Sequence, residues 1–220
     1  MRPLPQLYLI TDRQQLASGR QLTEVIEELL MAGVRLIQLR EKDLPAAELL
    51  PLAQELRTLT RRYDSSLLIN DRVDIAMAVD ADGVHLGGHS MPPAYARKLL
   101  GPDKLIGVST HSQQEIFTAA QQGANFVTFG PTFFTPSKAT YGEPVGLTAL
   151  QQACISSPLP IFALGGINLQ NSQQVTSSGA HGIALISALL SAESPAVAAQ
   201  KLLKTLGNSN AAGCHSKQFL

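Results

Sequence analysis

Short apolar runs recur along the chain, with amphipathic stretches between them. LYLIT (7–11), VRLIQL (34–39), LLIN (67–70), GVHL (83–86), LIGVS (105–109), FVTFG (126–130), IFAL (161–164) and GIALI (182–186) read as strands. Most show no alternation of polar and apolar positions, the pattern of strands buried on both faces of a parallel sheet. LTEVIEELLMA (22–32), AAELLPLAQELRTLTRRY (46–63) and SQQEIFTAAQQ (112–122) instead repeat their apolar positions at helical spacing. Gly33, Gly123 and Gly179 follow helical runs, where a helix commonly ends on glycine. Pro51 interrupts the second helical run and predicts a late start or a bend there. AGVRLIQL, ADGVHL, QGANFVTFG and SGAHGIALI each lead from a small residue and glycine into a strand, a weak repeat of one strand–helix unit.

Eight such units predict a single α/β domain, a parallel (β/α)8 barrel of the TIM type over residues 1–206, with a flexible tail over 207–220. A doubly wound sheet needs fewer strands, and the G-x-G-x-x-G turn of the dinucleotide-binding form is absent. With 45% hydrophobic residues the chain can bury a substantial core. Its 17 basic residues balance 17 acidic ones, which excludes a broad nucleic-acid or anionic-membrane surface while leaving room for a local anion site. Cys154 and Cys214 have no metal-ligand spacing, and no apolar run nears the roughly 18 residues of a membrane span. MRPLPQLYLITD also lacks the apolar region of a signal peptide. A soluble protein of a reducing cytoplasm is expected.

Barrel enzymes carry their chemistry at the C-terminal ends of the strands. Those positions hold Thr11-Asp12-Arg13, Gln38-Leu39-Arg40-Glu41-Lys42, Asn70-Asp71-Arg72, His85 with GGHS behind it, Ser109-Thr110-His111, the loop GPTFFTPSKATYGEP, Gly165-Gly166 and Ile186-Ser187. Gly165-Gly166 and Ile186-Ser187 stand where many barrels bind phosphate; a tight turn is the alternative reading of the glycines. Arg40, Lys42 and Lys138 are either solvated surface charges or a cluster for a highly charged anion such as pyrophosphate. Asp71 is the best candidate ligand for magnesium, and the alternative is that Asn70 or Asp71 caps the following helix. Ser109 with His111 makes a weak case for an activated nucleophile, and Ser109 reads better as a hydrogen-bond donor. His85 and His89 are four apart, but across a strand end that spacing does not make a metal pair. His85 reads as a buried, hydrogen-bonded histidine and the glycines behind it as a turn.

Taken together, YLITD (8–12), QLREK (38–42), NDRVDIA (70–76), ADGVHLG (81–87), GVSTHS (107–112), FGPTFFTPSK (129–138), ALGGI (163–167) and GIALISAL (182–189) resemble the thiamine-phosphate synthase family, which includes the TenI-like thiazole tautomerases. The resemblance runs in order to about Leu206. It implies a transferase joining hydroxymethylpyrimidine pyrophosphate to a thiazole phosphate, with release of pyrophosphate and with Mg2+ as cofactor. It further implies that Arg40, Lys42, Asn70 and Lys138 contact pyrophosphate, that Gln38 and Ser109 contact the pyrimidine, and that Asp71 holds magnesium. Lys138, Arg40 and Ser109 would carry catalysis. Thr135, Ser137, Gly165, Gly166, Ile186 and Ser187 would hold the thiazole phosphate. A homodimer is the family-level expectation.

One position departs from the synthase pattern: Ser90 stands where the family has a second magnesium-binding aspartate, and a hydroxyl is a poorer ligand than a carboxylate. The tautomerase branch carries its histidine just after the strand 6 glycine, where this chain has Pro131. The alternatives are therefore a tautomerase using His89 or His111, or a thiazole-phosphate-binding barrel without catalysis.

Overall fold

The computed structural model describes residues 3–135 and 143–212. Among them, eight parallel strands close into a barrel in sequential order. They are β1 (Leu7–Ile10), β2 (Leu36–Leu39), β3 (Ser66–Asn70), β4 (Gly83–Leu86), β5 (Leu105–Thr110), β6 (Phe126–Phe129), β7 (Ile161–Leu164) and β8 (Gly182–Leu185). β8 returns to β1, with Leu7 opposite Ile183 and Leu9 opposite Leu185. The helices are α1 (Leu22–Met31), α2 (Ala46–Arg62), α3 (Val73–Ala78), α4 (Pro93–Leu100), α5 (Gln113–Gln121), α6 (Gly146–Ser156), α7 (Ser172–Ser177), α8 (Ser187–Leu190) and α9 (Pro195–Ala212). All the expected strands are present.

Three local expectations meet different outcomes. Gly33, Gly123 and Gly179 take φ values of 108°, 85° and 91°, as helix-ending glycines do. α2 does not start late: it begins at Ala46 and runs through Pro51 to Arg62. A proline in the second turn removes only one backbone hydrogen bond, and burial of Leu49, Ala53, Leu56 and Leu59 offsets that loss. α9 continues to Ala212, past the boundary expected at residue 206. Residues 213–220 lie outside the described residues.

Strand alternation sorts the core into two layers. Leu7, Leu9, Ile37, Leu39, Leu67 and Ile69 face outward and pack with the apolar faces of the helices. Tyr8, Ile10, Leu36, Leu68, Leu105, Phe126, Phe162 and Ala184 form a separate cluster inside the barrel. Tyr8, Phe126 and Phe162 meet edge to face there, with centroids 5.3–5.5 Å apart. These rings fill the cylinder below the upper rim. At the lower end a cavity of about 430 Å³ is lined by Pro5, Arg57, Ser66, Asp82, Lys104 and Leu105. Its cations are engaged with neighbouring carboxylates: Arg57 pairs with Asp82 at 2.7 Å, and Lys104 with Asp80 at 2.5 Å.

Gly107 shows how closely the interior is filled. A methyl group on its Cα would lie 2.4 Å from Phe126 Cζ and 2.6 Å from His85 Nδ1. Gly107→Ala is expected to lower unfolding stability by about 1–3 kcal/mol through overpacking, measured by urea denaturation. An unchanged midpoint would show that the interior has room to spare.

Candidate active site

The upper rim is organised first by a buried carboxylate. Glu41, 5% exposed, accepts hydrogen bonds from Thr11 Oγ1 at 2.6 Å and from the Arg13 backbone N–H at 3.0 Å. Thr11 Oγ1 in turn accepts the backbone N–H of Arg40 at 2.9 Å. Arg13 also grips Asp43 through two bonds of 2.7 Å, which holds the Asp43 carboxyl below the usual range. The loops after β1 and β2 are thereby fixed to each other, with the half-buried Arg40 and exposed Lys42 on either side of Glu41. Because Glu41 is occupied by Thr11 and Arg13, it is not committed to the two cations flanking it.

Beneath the rim runs a row of polar side chains from β2 to β5. Gln38 Nε2 donates to Tyr8 Oη at 2.7 Å. Tyr8 Oη lies 3.2 Å from His85 Nδ1, and His85 Nε2 lies 3.0 Å from Ser109 Oγ. His85 is 3% exposed, as a buried and hydrogen-bonded histidine should be. Burial, with a smaller contribution from the Arg40 charge, pushes its pKa down from 6.5 to about 3, so the ring is neutral. Burial likewise raises the Tyr8 hydroxyl far above its ordinary value. Ser109 is thus paired with His85, while His111 Nδ1 bonds the Gly130 carbonyl at 2.6 Å. The Ser109–His111 nucleophile pair is not formed.

β3 ends in Asn70, which stands opposite His85 in register. Asp71 follows with φ 62°, a left-handed conformation that aspartate tolerates better than most residues, and its N–H donates to the His85 carbonyl at 2.9 Å. The capping alternative is corrected: the residue before α3 is Arg72, and no side chain caps the helix. Arg72 pairs with Asp74, and the exposed Asp71 carboxylate makes no hydrogen bond or ion pair among the described residues. After β4, Ser90 closes the glycine turn by accepting the Gly87 N–H at 2.7 Å and donating its own N–H to the Gly87 carbonyl at 3.1 Å. His89 is exposed in the same turn. Among the described residues, no three His, Cys, Asp or Glu side chains gather to hold a metal.

On the far side, Gly165 and Gly166 take φ values of 98° and 63°, and both are overlaid by the loop after β6. A Cβ on Gly165 would lie 2.6 Å from Pro131, and one on Gly166 would lie 2.6 Å from the Phe134 carbonyl. The tight-turn reading is therefore sufficient for these glycines, and it leaves their position on the rim unchanged. Ile186 precedes α8, and Ser187 opens it and is exposed. Thr135 is half-buried in the loop after β6. Ser137 and Lys138 lie outside the described residues. The nearby Thr132 hydroxyl is buried without a partner among the described residues.

The strand-end pattern assigns no role to Glu41 or Tyr8, although both organise the site. Glu41 looked like one charge in a polar loop, and Tyr8 like one more apolar residue of a strand. The available signals were a carboxylate between two cations, and a tyrosine on the inward-facing positions of β1.

The Thiamine monophosphate synthase family model matches residues 7–189. A putative thiamine-phosphate synthase of Geobacter sulfurreducens is 54% identical over 91% of this chain and 93% of its own length. A thiamine-phosphate synthase of Clostridium novyi is 45% identical over 84% and 90%. Among solved structures, a thiamine phosphate pyrophosphorylase from Pyrococcus furiosus superposes with a TM-score of 0.84 at 37% identity, covering 93% of this chain and 96% of that one. A 3-hexulose-6-phosphate synthase at 18% identity and a TM-score of 0.65 shares the fold alone.

The buried His85 makes stability depend on pH. Below its ordinary 6.5 the unfolded chain binds a proton that the folded site refuses until about pH 3, so stability falls as pH drops through that window. The expected contribution of His85 is a loss of about 2 kcal/mol between pH 7 and pH 5. Denaturant titrations of the wild type and of His85→Gln measure it. Equal pH dependence in the two proteins would contradict the neutral assignment.

Proposed function

The chain belongs to the thiamine monophosphate synthase family, and on that premise we propose that its upper rim joins hydroxymethylpyrimidine pyrophosphate to a thiazole phosphate, releasing pyrophosphate. The supporting observation is the order of side chains around the barrel. Gln38, Arg40, Lys42, Asn70, Asp71 and Ser109 follow one another from β2 to β5, and Thr135, Gly165, Gly166, Ile186 and Ser187 from β6 to β8. In this reading the two substrates occupy opposite halves of one mouth, with their reacting atoms facing each other across it.

The reaction begins with cleavage of the bond between the pyrimidine methylene carbon and the pyrophosphate oxygen. The electron pair leaves with pyrophosphate, and the lone pair of the thiazole nitrogen then closes the new C–N bond. Arg40 and Lys42, with Lys138 from the loop after β6, stabilise the charge on the leaving group. Fixed charges of this kind need no reorganisation as the bond breaks. Ser109 faces the pyrimidine, with Gln38 buried behind it on Tyr8, while Thr135, Ser137, Gly165, Gly166, Ile186 and Ser187 hold the thiazole phosphate.

The donor set accommodates magnesium through one carboxylate. Magnesium commonly takes one or two carboxylates and completes its shell with water and phosphate oxygens. Asp71 offers that carboxylate, exposed and without a hydrogen bond or ion pair among the described residues, with Asn70 beside it. Ser90 Oγ is already accepting the Gly87 N–H. When bound, the metal supplies positive charge to the departing pyrophosphate.

The test is to incubate both phosphorylated substrates with the protein and magnesium and to follow thiamine phosphate. Asp71→Asn is expected to lower turnover roughly 100-fold or more. Ser90→Asp is expected to lower the magnesium concentration giving half-maximal rate. Absent turnover with intact thiazole phosphate binding would contradict the transferase reading. Unchanged magnesium dependence in Ser90→Asp would contradict the account of Ser90.

A further inference from the structure

The row Gln38–Tyr8–His85–Ser109 crosses part of the barrel interior, and one of its ends reaches the mouth. Tyr8 is fully buried, Gln38 is 1% exposed and His85 3%, whereas Ser109 is half-buried. Its hydrogen-bond directions follow from counting protons. The neutral imidazole carries one proton, on either Nδ1 or Nε2. Gln38 Nε2 donates into Tyr8 Oη, so the phenolic proton must find an acceptor elsewhere. Among the described residues, the partner within reach is His85 Nδ1 at 3.2 Å.

If Nδ1 carried the proton, two donors would face Tyr8 Oη and the phenolic proton would be stranded in a fully buried site. Such an unsatisfied group is unfavourable. The proton therefore sits on Nε2 and is donated to Ser109 Oγ, 3.0 Å away. With that lone pair occupied, the hydroxyl proton of Ser109 turns away from His85. Turning over the Gln38 amide would reverse every bond in the row, leaving Ser109 to donate to His85 and to offer the mouth only lone pairs. The tautomer of His85 thus reports the polarity of the whole row.

We propose that Tyr8 and His85 are positioning residues that fix the Ser109 hydroxyl as a hydrogen-bond donor toward the mouth, where it selects a substrate ring offering a nitrogen acceptor. The proposal rests on the synthase reading above, in which that ring is the pyrimidine. Neither Tyr8 nor His85 touches the substrate; both act through Ser109. A ring carrying C–H in place of the acceptor nitrogen would leave the Ser109 proton unpaired on binding.

Two measurements test this. Nitrogen-15 spectra of histidine-labelled protein without substrate should show His85 protonated on Nε2, and Tyr8→Phe should mix the tautomers. In steady-state kinetics, Tyr8→Phe should raise the KM for the pyrimidine pyrophosphate about tenfold and leave that for thiazole phosphate within about twofold, the size of one lost hydrogen bond. Adding Tyr8→Phe to Ser109→Ala should cost little beyond Ser109→Ala alone. An Nδ1–H tautomer in the wild type overturns the proposal, even where Tyr8→Phe fails to fold. So do equal rises in both KM values, or effects of the two substitutions that simply multiply. Failure of the wild type to bind the pyrimidine pyrophosphate overturns it instead through the function on which it rests.

Discussion

Closing an eight-stranded parallel sheet on itself removes both edges, and it also forces every second strand residue into a narrow cylinder. The other features of this chain answer that demand. In the middle of the cylinder, Tyr8, Phe126 and Phe162 pack edge to face, and Gly107 leaves space where any side chain would strike Phe126 and His85. The same alternation brings Gln38, Asn70, His85 and Ser109 inward from adjacent strands. Three of these polar groups, with Tyr8, satisfy one another instead of being exposed to water. The floor of the mouth is thus part of the barrel core, and its orientation is fixed by the packing beneath it.

A neutral chain can still present local cations on its rim where a neighbouring carboxylate is turned inward. Glu41 lies between Arg40 and Lys42 in sequence, yet it is buried against Thr11 and Arg13. Arg13 is held in turn by Asp43, in a solvent-exposed pair of the kind that adds little to stability. Its value lies in geometry: the loops after β1 and β2 are tied together, and the Arg40 backbone is pinned by Thr11. At the other end of the barrel Arg57, Arg61 and Lys104 are paired with Asp80 and Asp82. That end holds the cavity of about 430 Å³, but its cations are already spent on their partners.

Strand existence was legible because runs buried on both faces contain few polar residues, as in LLIN and IFAL. Strand ends were legible because a polar residue follows at once, which is why Asn70, Ser109 and Ser187 could be placed on one rim. Pro51 misled because a local rule cannot weigh the tertiary burial of Leu49, Ala53 and Leu56 that keeps α2 helical. Asp71 could not be told from a helix cap, since that depends on a φ of 62° and on a bond to the His85 carbonyl. The link from Gln38 to Ser109 joins residues 71 positions apart through Tyr8 and His85. No spacing along the chain announces it, because closure of the barrel creates it. The roles proposed for Gln38 and Arg40 rest on family resemblance, with Arg40 on the rim and Gln38 buried beneath it.

The central claim is that the anion site is the rim above β2 to β5. Adding inorganic pyrophosphate and magnesium to nitrogen-15-labelled protein, and following backbone amide shifts, addresses this directly. The expected result is perturbation centred on Arg40, Lys42, Asn70 and Asp71, with the lower end unmoved. Perturbation centred on Arg57, Arg61 and Lys104 would contradict the account and move the site to the opposite end of the barrel.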